Sequence, residues 1–365
     1  MMKWVKHLWP SVTLILVASL ILLISDIDRR EGTGKNSKVY PDSVVIQDAA
    51  TSVIDSPVAG IRSFLELRLV MYSDTSFAED CRKGLLDGLK KGGLIAERDF
   101  NVVEYNAQGD MSTLSSIMTA VKSERPDLLM VISTPSLQAA LRLSGKETKI
   151  VFTGVGDGVQ AGAGTSETDH LSNVTGITTR SPFQEMARMI HETLPGVQSV
   201  GTLFTPAEIN SVLYRDWFMD ALKDYGIKLV VIPVTNSSEI SQASEILCRQ
   251  RIQAVAQIAD NTTRPGFGQL ARRARDNGLP VYVFDSAQMK DGGVLCLARD
   301  YYDAGVEGAE KAIRVLKGEN PGTIPFSNTK SEKLLLNVDL AKEYKLTMTP
   351  ELKEKAISFP FPVTP

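Results

Sequence analysis

Strand and helix take turns along most of this chain, and that alternation narrows its possible folds more than any other feature. Leu67–Tyr72 reads as a short buried strand, and Ala78–Gly92 as an amphipathic helix with Leu85, Leu86 and Leu89 on one face, closing at Gly92-Gly93. Further strands are predicted at Asn101–Tyr105, Asp127–Ser133 and Thr148–Phe152, with helices at Met111–Glu124 and Ser136–Leu143 between them. The rhythm restarts with a helix at Phe183–Thr193. Strands follow at Ser199–Phe204, Lys228–Pro233, Ala254–Ile258 and Pro280–Phe284, separated by helices at Asn210–Tyr225, Ser238–Arg249 and Gly268–Asn277. Short apolar strands alternating with helices imply parallel sheets covered on both faces. Two such runs imply an α/β protein of two doubly wound lobes, and 365 residues suit about two lobes of ordinary size.

Charge and rare residues exclude several functions. The net charge is −3, with no clustered basic face for a nucleic acid to meet. His7, His170 and His191 and the three cysteines Cys81, Cys248 and Cys296 lie far apart, without metal-ligand spacing, so no metal and no cofactor is expected. The thiols read as small buried hydrophobes, with one disulfide left open.

The N-terminus has its own character. Lys3 and Lys6 precede an uncharged run from Leu8 to Ile24, ended by Asp26, Asp28, Arg29, Arg30 and Glu31. Residues 1–30 are therefore a signal anchor or a signal peptide. The anchor fits better, because no A-x-A site follows the run, and the run has no terminal cysteine for a lipid. The leading lysines put the bulk of the chain outside the cytoplasm, in the periplasm or at the outer face of the cytoplasmic membrane. Residues 31–63, with their Gly, Pro and Ser, read as a linker.

In open parallel sheets, ligands bind beyond the carboxyl ends of the strands. The candidate residues are therefore the polar ones at strand exits: Ser73, then Thr134 and Ser136, then Asp157. In the second run they are Asn210 and Ser211, Asp260 and Asn261, and Asp285. Each has an alternative reading as a helix cap; what points to a site is their recurrence on both halves. No catalytic residue is expected, since the chain has no G-x-S-x-G elbow and no P-loop. Gly154-Val155-Gly156-Asp157-Gly158 lacks both the spacing and the position of a nucleotide loop.

Specific runs carry a resemblance. Asn173-Val174-Thr175-Gly176-Ile177, Leu194-Pro195-Gly196-Val197, Gly201 to Ser211, Ala259-Asp260-Asn261-Thr262, Phe152 to Asp157, Asp300 to Gly305, Leu335 to Ala341 and Leu346 to Pro350 resemble the ABC-transporter substrate-binding family related to tryptophan and tyrosine uptake. The resemblance spans roughly 66–358 and implies a type I periplasmic-binding-protein fold with three crossovers between lobes. On that reading 64–180 is the N-terminal part of lobe 1, 181–290 is lobe 2, and 291–365 is a crossover and a C-terminal segment returning to the lobes. It implies a small amino-acid-like solute held in the inter-lobe cleft by hinge closure and passed to ABC permease and ATPase subunits. It makes Thr134, Ser136, Asp157, Asn210, Ser211, Asp260, Asn261 and Asp285 ligand-facing. Gly158 stands where the family usually has Pro, and Cys296 and Arg299 fall in a segment that is blander in the family. The other reading is a membrane-tethered sensor that signals through a separate partner. Asp157 and Asp260 are expected to be replaceable by Ala with loss of binding and an intact fold.

Overall fold

Leu128–Ile132 (LLMVI) has no polar residue, and all five of its side chains are buried; a strand of that kind is stable only with helices on both sides of its sheet. The computed structural model describes residues 64–359. The expected anchor or signal at 1–30 and the linker at 31–63 lie outside the described residues. In chain order the first half gives β1 (Leu65–Met71), α1 (Ser76–Lys91), β2 (Phe100–Asn106), α2 (Met111–Glu124), β3 (Leu128–Ile132), α3 (Thr134–Leu143), β4 (Ile150–Val155) and β5 (Val174–Thr178). The second half gives α4 (Phe183–Thr193), β6 (Ser199–Phe204), α5 (Ile209–Lys223), β7 (Lys228–Pro233), α6 (Ile240–Cys248), β8 (Ala254–Gln257), α7 (Phe267–Asp276), β9 (Val281–Val283) and β10 (Leu295–Arg299). Then come α8 (Tyr301–Leu316), β11 (Ser327–Asn328), β12 (Glu332–Leu336), two short helices and β13 (Ile357–Ser358).

These strands form two sheets, ordered β11-β5-β4-β3-β1-β2 and β13-β12-β10-β9-β8-β6-β7. The first is parallel throughout; in the second β12 runs antiparallel to β10, and β13 runs parallel to β12, so both oppose the other five strands. Alternation along β9 shows how each face is filled. Tyr282 joins Phe183, Phe218 and Phe284 on one face, while Val281 and Val283 join Leu247, Phe267 and Leu270 on the other. The three cysteines are buried free thiols.

The chain passes between the sheets three times: at 179–182, at Asp300, and at 329–331. Arg299 ties these passages together. Its Nε donates to the Arg180 carbonyl at 2.8 Å, and its Nη1 donates to the Thr329 carbonyl at 3.4 Å and to Glu332 at 2.5 Å. The second passage delivers α8 back onto the first sheet, against α1. Glycines let these helices approach: a Cβ on Gly84 would lie 2.0 Å from the Tyr302 carbonyl oxygen, and one on Gly305 would lie 2.3 Å from that of Cys81.

Candidate functional site

Both sheets direct strand ends at one small cavity, with a volume of about 20 Å³. The first lobe lines it with Phe77, Ser133, Thr134, Gly154, Gly156 and Thr179, and the second with Asn210, Tyr214, Ala259, Asp260, Asn261 and Arg264. Tyr301, which opens α8 after the second passage, completes it. The two lobes touch across it. Ser76 Oγ donates to Asp285 Oδ2 at 3.4 Å, and Tyr214 Oη donates to the Thr179 carbonyl at 3.3 Å. Gly156 sits so close to Tyr214 that a Cβ there would fall 2.7 Å from the hydroxyl oxygen. The glycine-rich run after β4 thus serves approach between lobes. In the same run, Gly158 makes room for Phe152 and Phe326.

Ser133 shows local strain at the cavity wall. Its φ of 86° with ψ of 156° is a region that L-residues rarely enter. Such a conformation costs on the order of 1–3 kcal/mol and is typically retained at functional sites.

Of the residues marked from the sequence, Thr134, Asn210, Asp260 and Asn261 line the cavity. Ser73 and Asn261 line a wider recess that opens beside it between Tyr72, Asp110, Glu208 and Thr235. The Ser73 hydroxyl is buried without a hydrogen-bond partner. The remaining four stand one layer back. Ser136 is fully buried with its hydroxyl 3.4 Å from that of Ser133. Ser211 donates to Asp260. Asp157 accepts from the Gln160 amide at 2.9 Å and pairs with Arg180, whose guanidinium stacks on Trp217. Asp285 pairs with Arg264 at 2.5 Å and caps Ala287.

Two buried carboxylates organise the second lobe's wall. Asp260 accepts from Thr205 N and Thr205 Oγ1, both at 3.0 Å, from Ser211 Oγ, and from Thr263 N at 2.7 Å. Glu208 accepts from the amides and side chains of Asn261 and Thr262 and from Asn210 Nδ2. Burial, reinforced by the neighbouring Asp260, pushes the Glu208 carboxyl above the usual range against the pull of those donors. Burial also pushes the Tyr214 phenol up to about 12.

Several wall residues were not marked from the sequence: Arg264, Phe77, Tyr214 and Tyr301. Arg264 lies four residues beyond Asp260 in the same loop, where a basic side chain next to Pro265 reads as surface. In the fold it is only 9% exposed. Its Cζ stands 4.3 Å from the Phe77 ring centroid and 5.9 Å from that of Tyr301. Two polar atoms on the wall are buried without partners, Arg264 Nε and Asn210 Oδ1.

Comparison with known proteins follows this geometry. Residues 70–359 match the family described as ABC transporter substrate binding protein. A "Tyrosine-binding protein" of Clostridioides difficile is 28% identical over 264 residues, covering 72% of this chain and 76% of that protein. The structure of a Streptococcus pneumonia ABC domain in complex with L-Trp superposes with a TM-score of 0.77 at 22% identity, covering 81% of this chain and 99% of that one. A ligand-free, open substrate binding protein with adhesive properties from Clostridium difficile gives 0.63 at 25% identity, with coverage of 81% and 99%.

Proposed function

The chain belongs to the ABC transporter substrate binding protein family, and on that premise we propose that it captures a small amino-acid-like solute between its lobes by hinge closure and delivers it to the permease of an ABC importer. Proteins of this family act outside the cytoplasm, and the two sheets with their three passages are the type I periplasmic-binding-protein architecture. The observation that carries the reading is the pair of unpartnered buried groups on residues that line the cavity, a donor at Arg264 Nε and an acceptor at Asn210 Oδ1. Leaving such groups unsatisfied costs about 1–3 kcal/mol each, and a solute with an acceptor and a donor removes that penalty. Aromatic rings from both lobes, Phe77, Tyr214 and Tyr301, add apolar area for the solute to cover. The name of the Clostridioides difficile relative supports an amino acid as the class.

Lobe closure is supported by the contacts across the cavity. Nothing in the cycle breaks a bond: the solute is held by contacts available only when both lobes surround it, so it favours the closed state.

The test is a thermal-shift screen of the purified protein against amino acids, nucleosides, sugars and small aromatics, followed by small-angle scattering with any hit. A true solute raises the melting temperature as its concentration rises, by about 2.7 kcal/mol of stability at 100 times Kd, and shrinks the radius of gyration. Failure of every class to stabilise the protein would remove the solute-binding reading.

A further inference from the structure

The charged groups on the cavity wall are unequally occupied. Asp260 is the acidic residue that lines it, and its two oxygens already accept four hydrogen bonds from its own lobe. Arg264 is the basic residue that lines it, and its guanidinium is only partly used. Nη1 donates to Asp285 Oδ2 at 2.5 Å and the guanidinium also interacts with the Tyr301 hydroxyl, while Nε is buried and has no partner. A guanidinium is a rigid plate of five donors, and its Nε edge matches the two oxygens of a carboxylate. The plate is fixed on its other sides. Phe77 lies 4.3 Å beneath it, and Asp285 is itself fastened by the Ala287 amide at 3.1 Å and the Ser76 hydroxyl at 3.4 Å.

We propose that Arg264 is the specificity-determining residue of the cleft and that its Nε edge binds a carboxylate of the solute. This deepens the solute-binding reading and rests on it. Asp285 is a positioning residue: it holds Nη1 and leaves the opposite edge directed at the solute. The placement also links anion capture to closure. Arg264 and Asp285 belong to the second lobe, whereas Ser76 and Phe77 open α1 in the first. The guanidinium therefore gains its aromatic floor, and Asp285 its hydroxyl, only when the lobes meet. The solute's amino group is left to neutral acceptors such as Asn210 Oδ1, because the Asp260 oxygens are already filled.

The experiment compares acids with their amides on the unaltered protein, so it needs no variant that folds. L-tyrosine, L-tryptophan, L-phenylalanine and L-leucine, the carboxamide of each, and the neutral solutes glucose and myo-inositol are titrated by calorimetry and thermal shift. The expected result is binding of at least one acid, with its carboxamide weaker by roughly thirtyfold, the size expected when a hydrogen bond to a charged group is lost. In Arg264→Gln the acid falls by a similar factor while the amide barely changes. Arg264→Lys, which keeps the charge without the planar fork, restores only part of the loss. Equal binding of an acid and its amide overturns the proposal and leaves the solute-binding reading standing, and so does binding of glucose or myo-inositol alone. It would show Arg264 to be a tie between lobes. If none of these compounds binds, the Arg264 proposal falls, and the wider screen decides the solute-binding reading separately.

Discussion

Four donors converge on the Asp260 carboxylate from three places in the chain: Thr205 after β6, Ser211 in the first turn of α5, and Thr263 in the loop after β8. The carboxylate is 3% exposed, so water cannot replace it for those donors. Reading the sequence alone makes Asp260→Ala a binding variant with an intact fold; the hydrogen bonds give it a structural cost as well. Removing one partner of a buried charged network typically costs about 3–5 kcal/mol. Asp260→Ala is expected to lower the urea midpoint of unfolding by an amount in that range, in solute-free protein. Asp260→Asn, which keeps one acceptor, should lose about half as much. A midpoint unchanged in the alanine variant would mean that the four donors find other partners, and Asp260 would then be available to a solute.

At the scale of elements, α1 and α8 oppose two general tendencies. An exposed helical Gly→Ala normally gains about 1 kcal/mol from helix propensity. At Gly84 and Gly305 the added carbon would fall 2.0 and 2.3 Å from backbone oxygens of the facing helix, and backbone yields less readily than a side-chain tip. Overpacking of this kind costs about 1–3 kcal/mol, so the loss outweighs the gain. Gly84→Ala and Gly305→Ala are each expected to lower the melting temperature, whereas Gly→Ala at an exposed helical site would raise it. A rise in either variant would refute the tight crossing of these helices. This crossing was not legible in the sequence, although the alternation that builds each sheet was. Periodicity reports which face of a helix is apolar, and α8 shows such a face, but nothing local says that residues after β10 return to the first sheet. The candidate site divides in the same way. Thr134, Asn210, Asp260 and Asn261 follow from strand ends, a rule with short reach along the chain. Tyr214 reaches the cavity from inside α5, Tyr301 from the start of α8, and Arg264 from late in the loop after β8, and only the packing of one lobe on the other brings them together.

The proposed closure depends on how closely the lobes can meet, and Gly156 stands at a close contact between them. It sits on the exit of β4 in the first lobe, and Tyr214 comes to it from α5 in the second. A Cβ at 156 would lie 2.7 to 2.9 Å from the Tyr214 hydroxyl oxygen, Cε1 and Cζ. Tyr214 cannot swing aside within its own lobe without opening the core it shares with Phe183, whose ring centroid is 5.2 Å away. The strain of Gly156→Val is therefore relieved by holding the lobes apart, and it falls on the closed state alone. A penalty of about 2 kcal/mol there weakens any solute that depends on closure roughly thirtyfold. It leaves the open state, and so the unfolding of the solute-free protein, close to unaltered. The expected result has three parts: a higher Kd, no compaction by small-angle scattering at saturating solute, and an unchanged urea midpoint without solute. Affinity within twofold of the parent, with full compaction, would show that closure does not pass through this contact. A collapsed urea midpoint would show that Gly156 supports the fold of its own lobe rather than the approach of the other.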